Sequence, residues 1–161
     1  MNIAIFDLDG VIANVEERLK KVLEKVNKKS INEISRYEKR KFWNEFLNPR
    51  LLILDKPNTE IINHIKKLKD EGFKIIILTG RSEDKQKNET IKQLNLWGVP
   101  YDEIYFRSKK DFRKDSIYKK SVIKKLLNKG YKVVEFWEDS EEVIKGVRKL
   151  IPEAKIVKVG A

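Results

Sequence analysis

Short apolar runs alternate with helical patterns along most of the chain. Apolar runs typical of buried strands occur at residues 3–6, 74–78, 104–106, 133–137 and 155–159. Between them, apolar spacing together with glycine and proline positions predicts helices over about 57–72, 84–97, 116–128 and 140–151. Strands that alternate with helices favour a parallel sheet. We therefore predict an α/β fold built on a parallel sheet.

Residues from about 14 to 56 interrupt this alternation. They carry two helical patterns, at about 15–28 and 35–47, with no strand-like run between them. This connection is far longer than the roughly two to six residues usual between a strand and its helix. We predict a small helical insertion over the carboxyl end of the sheet, within a single domain that spans residues 1–161.

The composition excludes several classes of site. The chain has no cysteine, which rules out disulfides, thiolate nucleophiles and cysteine-ligated zinc. Its single histidine, His64, argues against a histidine-rich metal centre and against a Ser-His-Asp triad. No run of about 18 apolar residues is present, so we expect no membrane partner. Because the first residues lack the features of a signal peptide, we also expect a cytoplasmic protein.

The formal net charge of +11 indicates an anionic partner such as a nucleotide or nucleic acid. A second explanation is compositional, because an AT-rich genome or a heat-adapted proteome also enriches lysine. The net charge alone leaves both explanations open.

The most informative motif is Asp7-Leu8-Asp9-Gly10, directly after the apolar run at 3–6. Residues i and i+2 of an extended segment point the same way, so both carboxylates can face one ligand. Two carboxylates repel each other unless a cation lies between them. The motif therefore indicates a site for a hard metal ion and a phosphate, and a plain surface turn is the alternative interpretation.

A second motif, Thr79-Gly80-Arg81-Ser82, follows the apolar run at 74–78. The carboxyl ends of parallel strands meet where ligands bind. A hydroxyl, backbone N–H groups and a guanidinium at that edge can bind phosphate oxygens. The alternative is a simple turn at Gly80.

Two further motifs lie later in the chain. Lys119 falls about one turn inside a helix that begins near Asp115, where a cation opposes the helix dipole and so favours an anionic ligand. Glu138-Asp139 ends the apolar run at 133–137. Helix capping near Asp115 and near Asp139 is the alternative explanation for both motifs.

In this order, the four motifs resemble those of the haloacid dehalogenase (HAD) superfamily of phosphotransferases, over nearly the whole chain. The resemblance implies a Rossmann-like three-layer α/β/α fold with a small helical cap insertion. It also implies that Asp7 is the nucleophile that forms an aspartyl-phosphate, and that Asp9 is the general acid and then the base. Thr79 is expected to bind the phosphoryl group, Lys119 to neutralise it, and Asp139 to help to bind Mg²⁺.

Within that superfamily, the chain is similar to the 3′-phosphatase domain of bacteriophage polynucleotide kinase and its small relatives. Besides the first two motifs, the residues that carry this similarity are Arg18 and the segment Arg113-Lys114-Asp115 followed by Lys119. The similarity implies that Arg18 and Arg81 contact the substrate phosphate, together with Thr79 and Gly80. It also implies that Asp115 orients Lys119.

Two positions depart from that pattern. Val11 stands where threonine is common, and Glu138-Asp139 stands in place of a pair of aspartates. Oxygen ligands suit Mg²⁺, and the expected carboxylate ligands are Asp7, Asp9, Glu138 and Asp139. Which member of the Glu138-Asp139 pair contacts the metal stays open.

We therefore predict a Mg²⁺-dependent phosphomonoester hydrolase whose expected substrates are nucleotides or the 3′-phosphate ends of polynucleotides. One alternative is a phosphatase for small nucleotides or sugar phosphates. The other is a non-catalytic phosphate-binding module, which would have no need of a general acid. The chain contains no P-loop motif, so it is not itself a kinase.

Aromatic residues Phe42, Trp43 and Phe46 stand among basic residues. Such a mixture can stack on nucleobases. The i, i+4 spacing of Phe42 and Phe46 instead favours the buried face of a short helix.

Overall fold

The computed structural model describes residues 1–160, which form two sheets and six α-helices. The strands are β1 (Asn2–Phe6), β2 (Ala13–Asn14), β3 (Lys56–Pro57), β4 (Lys74–Ser82), β5 (Glu103–Arg107), β6 (Lys132–Glu138) and β7 (Lys155–Lys158). The helices are α1 (Glu16–Lys25), α2 (Lys39–Phe46), α3 (Thr59–Asp70), α4 (Glu83–Leu96), α5 (Asp115–Asn128) and α6 (Glu141–Val147). Among these residues, no helix is long and apolar enough to cross a membrane.

The main sheet has five parallel strands in the order β5-β4-β1-β6-β7. This order confirms the predicted α/β fold with a parallel sheet. The chain fills one side of β1 with β4 and β5, and then the other side with β6 and β7. In open sheets of this kind, the crevice at the carboxyl ends of the strands where this reversal occurs is the usual ligand site.

Side chains of β1 alternate between two apolar cores, one on each face of the sheet. Ile5 packs in the core that holds Leu126 of α5, and Phe6 packs in the core that holds Ile65 of α3 and Leu94 of α4. Strands covered on both faces carry continuous apolar runs rather than an alternating pattern. This burial accounts for the uninterrupted run at 3–6.

The segment predicted to be a helical insertion contains α1, α2 and two short 3₁₀ helices, Ile31–Glu33 and Pro49–Leu54. It has an apolar cluster of its own, which includes Val22, Phe42 and Phe46. The burial of Phe42 and Phe46 supports the helix-face interpretation of the aromatic residues over base stacking. A short antiparallel pairing of β2 with β3 joins the two ends of the segment.

Several boundaries differ from the prediction. The helix expected from residue 57 begins at Thr59, because Pro57 pairs with Ala13 in β3. The strand expected to end at residue 78 continues as β4 to Ser82, which pairs with β5. The last helix ends at Val147 rather than near residue 151. Long-range strand pairing, which local spacing does not encode, accounts for the first two differences.

The central core gives a direct stability prediction. Ile76 of β4 is fully buried, and Ile76→Ala is expected to lower the free energy of unfolding by about 2–5 kcal/mol, through lost burial and a cavity. Urea denaturation measures this loss. The control is Ile53→Ala at an exposed isoleucine, which is expected to change stability by less than about 0.5 kcal/mol. Equal losses for the two variants would contradict the packing described here.

Candidate active site

The candidate site lies at the carboxyl ends of three neighbouring strands. Asp7 directly follows β1, Thr79 lies in the last half of β4, and Glu138 ends β6. β1 pairs with both β4 and β6. The parallel register therefore brings three sequence-distant motifs to one edge of the sheet.

Lys119 of α5 connects two of these strand ends. Its Nζ donates to Asp7 Oδ1 at 2.9 Å and to Glu138 Oε2 at 2.8 Å, and lies 3.4 Å from Asp115 Oδ2. The Lys119 side chain is 2% exposed. A buried ammonium is costly unless it is paired, so these acids hold Lys119 in the site.

Asp7 keeps one carboxylate oxygen clear of protein donors. Oδ1 accepts from the backbone N–H of Leu8 at 2.8 Å and from Lys119. Within residues 1–160, no hydrogen bond is formed to Oδ2. Burial raises the pKa of the Asp7 carboxyl, which the charge of Lys119 opposes. The second oxygen is thus available to a ligand.

Asp7, Glu138 and Asp139 form an acidic group whose ligand atoms lie within 4.8 Å of one another. Desolvation of its carboxyl group and the negative charge of the neighbouring Asp7 raise the pKa of Asp139 to about 6, although the residue as a whole is exposed. Three carboxylates share the single charge of Lys119, so the group has an excess of negative charge. Such an excess is characteristic of a cation site.

Glu138 and Asp139 differ in what their carboxylates already bind. Glu138 Oε1 accepts from the backbone N–H groups of Asp139 and Ser140, and Oε2 accepts from Lys119. Within residues 1–160, the Asp139 carboxylate accepts no hydrogen bond, and its residue is exposed. Ser140, not Asp139, caps α6, since its hydroxyl accepts from the backbone N–H of Val143. The capping alternative therefore does not account for Asp139.

Gly10 allows the first motif to approach this acidic group. Its φ is +84°, in the left-handed region that favours glycine, and a Cβ there would lie 2.1 Å from Asp139 Oδ2. A side chain at position 10 would displace the Asp139 carboxylate.

The Asp9 carboxylate lies in a different group, with two arginines. Oδ1 accepts from Nη2 of Arg18 and from Nη2 of Arg81, each at 2.6 Å. Both guanidiniums also bind Asp55, which is buried. The two arginines lower the pKa of Asp9 to about 2 against the effect of burial. Asp9 is therefore ionised at neutral pH.

Arg81 is held in a fully satisfied position. Nε and Nη2 donate to Asp9, Nη2 also donates to Asp55, and Nη1 donates to Thr90 and Gln93. The side chains of both arginines are completely buried. The structure therefore places Arg18 and Arg81 behind Asp9, with their donors paired to protein groups. Direct contact of these arginines with a substrate phosphate stays a prediction.

Net charge separates the two groups. Asp9 and Asp55 balance Arg18 and Arg81, whereas the group around Lys119 keeps an excess of carboxylates. The structure does not bring the Asp9 carboxylate into the acidic group. Its predicted role as a metal ligand stays a prediction.

Gly80, which follows Thr79 in β4, lies close to Asp115 at the start of α5. Thr79 is fully buried, and its Oγ1 accepts from the backbone N–H of Arg81. A Cβ on Gly80 would lie 2.8 Å from Asp115 Oδ1. That same oxygen accepts from Nη2 of Arg107 at 2.9 Å. Asp115 is therefore fixed between Arg107 and Lys119.

Sequence reasoning missed four residues of these groups: Asp55, Thr90, Gln93 and Arg107. Asp55 lies 37 residues from Arg18, and Gln93 lies 12 residues from Arg81. None of the four stands in a motif at the end of β1 or β6. An aspartate directly after an apolar run, as Asp55 is after residues 51–54, is the one signal that could have been noticed.

The fold and a family comparison define the class of this protein, a HAD phosphatase domain. Residues 38–160 match the family model for the "Polynucleotide kinase PNKP phosphatase domain". The match covers most of the chain, which therefore belongs to this family of HAD phosphatase domains. Asp7 and Asp9 precede the matched range, and contacts with Lys119 and Arg81 join them to it.

Solved structures show the same fold. One, titled "Structure of Pnkp1/Rnl/Hen1 complex", is 23% identical with a TM-score of 0.71, and covers 98% of this chain and 45% of that chain. A "predicted phosphatase" from Clostridium acetobutylicum is 15% identical with a TM-score of 0.67 and coverages of 98% and 83%. A haloacid dehalogenase-like hydrolase from Streptococcus pneumoniae is 13% identical with a TM-score of 0.63 and coverages of 98% and 83%.

The chain spans less than half the length of the first of these relatives. No curated protein sequence matches it.

The buried arginine pair gives a testable prediction. Arg81→Gln would leave Asp9 and Asp55 with one guanidinium, and is expected to cost about 3–5 kcal/mol of unfolding free energy, because a buried charge loses its partner. Urea denaturation at neutral pH measures this. Arg50→Gln removes an exposed arginine and is the matched control, with an expected change below about 0.5 kcal/mol. A loss below about 1 kcal/mol for Arg81→Gln would contradict the structural role of this residue.

Proposed function

We propose that this HAD phosphatase hydrolyses phosphomonoesters with Mg²⁺ through an aspartyl-phosphate on Asp7, and that its substrates are nucleotide or polynucleotide 3′-phosphate ends. The observation that carries the proposal is the buried Asp7–Lys119 contact within a group of three carboxylates. A nucleophile, a counter-charge and an acidic cation site share one edge of the sheet.

The donor set fits Mg²⁺. Among residues 1–160, Asp7 Oδ2 and the Asp139 carboxylate form no hydrogen bond to protein, whereas Glu138 binds Lys119 and two backbone N–H groups. Oxygen ligands and excess negative charge suit a hard divalent cation. We therefore assign Asp7 and Asp139 as the direct carboxylate ligands, with Glu138 holding Lys119 in place. When bound, Mg²⁺ would reduce the charge repulsion between carboxylate and phosphate.

Asp7 and Lys119 would carry the covalent step. A carboxylate attacks an anionic phosphoryl group poorly unless nearby cations offset the repulsion. Lys119 lies 2.9 Å from the nucleophile and supplies one such charge. Thr79 and the backbone around Gly80 adjoin Asp115, which contacts Lys119. These groups are expected to bind the oxygens of the transferred phosphoryl group.

Asp9 would act in the second step, hydrolysis of the aspartyl-phosphate. Its low pKa keeps the carboxylate ionised and able to accept a proton from water, although the same arginines make it a weak base. Arg18 and Arg81 fix this carboxylate in place. In the first step Asp9 would protonate the leaving oxygen, and the two guanidiniums oppose this acid role because they favour the ionised carboxylate.

A polynucleotide substrate is supported by family membership and by charge. The matched family is named for the phosphatase domain of polynucleotide kinase, and one structural relative is titled as part of an RNA repair complex. Exposed Lys109, Lys110, Arg113 and Lys114 follow β5, the strand next to β4. Positive charge beside the site suits an extended polyanion.

A small-molecule phosphatase is the second candidate. A cleft of about 350 Å³ opens beside Gly10 and is lined by Asn14, Pro57, Asn58 and Thr59, among others. Its polar lining could receive a nucleoside or sugar leaving group. The substrate panel below distinguishes this candidate from the first.

Phosphate release tests the proposal. The panel contains 3′- and 5′-phosphorylated oligonucleotides, mononucleotides and sugar phosphates, each with Mg²⁺ or with a chelator. We expect Mg²⁺-dependent release that is highest on 3′-phosphorylated oligonucleotides and falls with salt. Asp7→Asn should reduce turnover by at least about 1,000-fold, because it removes the nucleophile, while acid-stable labelling of the wild type should identify Asp7. Equal rates on all phosphates without salt dependence would exclude the polynucleotide substrate.

Mg²⁺ binding should depend on pH through Asp139. Because its pKa is raised to about 6, Asp139 is ionised above pH 7, and the Mg²⁺-induced rise in Tm should be complete there. Below pH 6 a proton competes with the metal, so the apparent Kd should rise about tenfold per pH unit. In metal-free protein the effect of pH on stability is the opposite. The free energy of unfolding should rise as the pH falls toward about 4, because a carboxyl group with a raised pKa in the folded state binds its proton more tightly there.

The controls are Asp139→Asn, which should remove most of the Mg²⁺ effect, and Glu142→Gln, which changes an exposed acid of α6 and should leave it intact. A Tm that Mg²⁺ leaves unchanged at pH 8 would contradict the metal assignment.

A further inference from the structure

An exposed phenylalanine stands on the basic loop that connects β5 to α5. Phe112 is 91% exposed, whereas Phe42 and Phe46 of the insertion are buried. A single exposed apolar side chain is common on protein surfaces and needs no explanation by itself. The inference rests on how this loop is held, where it lies and which charges surround it.

The loop is locked by hydrogen bonds on both sides of Phe112. Asp111 accepts from the backbone N–H, Nε and Nη2 of Arg113 at 2.6–3.1 Å. Nη1 of Arg107 donates to the backbone carbonyl of Arg113 at 2.7 Å. The Asp111 side chain is only 10% exposed. Phe112 is therefore presented to solvent from a rigid turn, and little entropy would be lost if a ligand contacted it.

Short contacts connect this turn to the nucleophile. Arg107, which holds the carbonyl of Arg113, also donates to Asp115 at 2.9 Å. Asp115 lies 3.4 Å from Lys119 Nζ, which lies 2.9 Å from Asp7. The position of Phe112 is therefore fixed relative to the site of phosphoryl transfer, on the side of β4 and β5.

Four exposed cations flank the aromatic ring in sequence: Lys109, Lys110, Arg113 and Lys114. The one carboxylate of the turn, Asp111, is already bound to Arg113. An exposed aromatic face among cations is the arrangement by which proteins bind single-stranded nucleic acid, with the ring stacking on a base and the cations contacting phosphates.

We propose that Phe112 stacks on a nucleobase of the substrate at or next to the nucleotide that carries the reacting phosphate. The inference rests on the proposed phosphatase function and specifies its substrate class: phosphates attached to a nucleoside, in preference to sugar phosphates. Phe112 is a specificity residue that contacts the base and takes no part in the chemical step.

The test compares substrates with and without the base. Phe112→Ala should raise the KM for a 3′-phosphorylated oligonucleotide by about 5- to 100-fold, with kcat nearly unchanged, in line with the loss of one base–aromatic stack. For acetyl phosphate, and for the same oligonucleotide made abasic at its last two positions, KM should change less than about twofold. Phe112→Trp should keep the wild-type KM. A nucleoside 3′-phosphate tests whether the stacked base is that of the reacting nucleotide.

The matched control is Leu96→Ala. Leu96 is also a highly exposed apolar residue, 84% exposed at the carboxyl end of α4. This end of the helix lies away from the carboxyl edge of the sheet, so KM should not change on any substrate.

Binding separates this inference from the proposed function. Kd for the same oligonucleotides is measured with Asp7→Asn and with the Asp7→Asn, Phe112→Ala double variant, which requires no turnover. A base-dependent loss of affinity in the double variant supports stacking even where no substrate is turned over. Equal losses with and without the base, or no loss in either case, would overturn it. If affinity is lost in neither case, Phe112 would instead be a contact for another protein surface. Phosphate release by the wild type would still support the proposed phosphatase function.

Discussion

A buried ammonium holds the catalytic edge of this protein together. Lys119 reaches from α5 to Asp7 after β1 and to Glu138 at the end of β6, and almost none of its side chain is exposed. Because a buried charge without a partner is strongly destabilising, the packing of α5 on the sheet and the position of both carboxylates depend on one another. Loss of this contact would separate Asp7, the proposed nucleophile, from its counter-charge.

The rest of the site follows from a division of charge. Around Asp9 and Asp55 two arginines give a neutral, closed group, which fixes a carboxylate and leaves it ionised. Around Lys119 the carboxylates outnumber the cations, and this is the group to which we assign the metal ion in the proposed function. The two aspartates of one short motif thus receive different environments. That difference is the physical basis for giving them different roles in the proposed reaction.

Much of the fold was predictable because strands covered on both faces carry continuous apolar runs. The parallel sheet, its five strands and the helical content of the segment near residues 14–56 follow from that pattern. The apolar pattern did not predict the pairing of β2 with β3 or the extension of β4 to Ser82. Both depend on a partner strand far along the chain. In the site, the strand-end motifs were predictable by residue type, whereas Asp55 and Gln93 were not. Their function is to bind a buried guanidinium.

The sequence by itself determined the class of chemistry. Asp7, Thr79, Lys119 and Glu138-Asp139 occur in an order that resembles the motifs of HAD phosphatases, and the family match agrees with this resemblance. Only the tertiary structure decided which partners each of these side chains binds. It placed Asp9 against two arginines, bound Glu138 to Lys119 while the Asp139 carboxylate accepts no hydrogen bond from the described part of the chain, and held Phe112 in solvent on a hydrogen-bonded turn. Side-chain partners depend on distances across the fold, and spacing along the chain does not specify them.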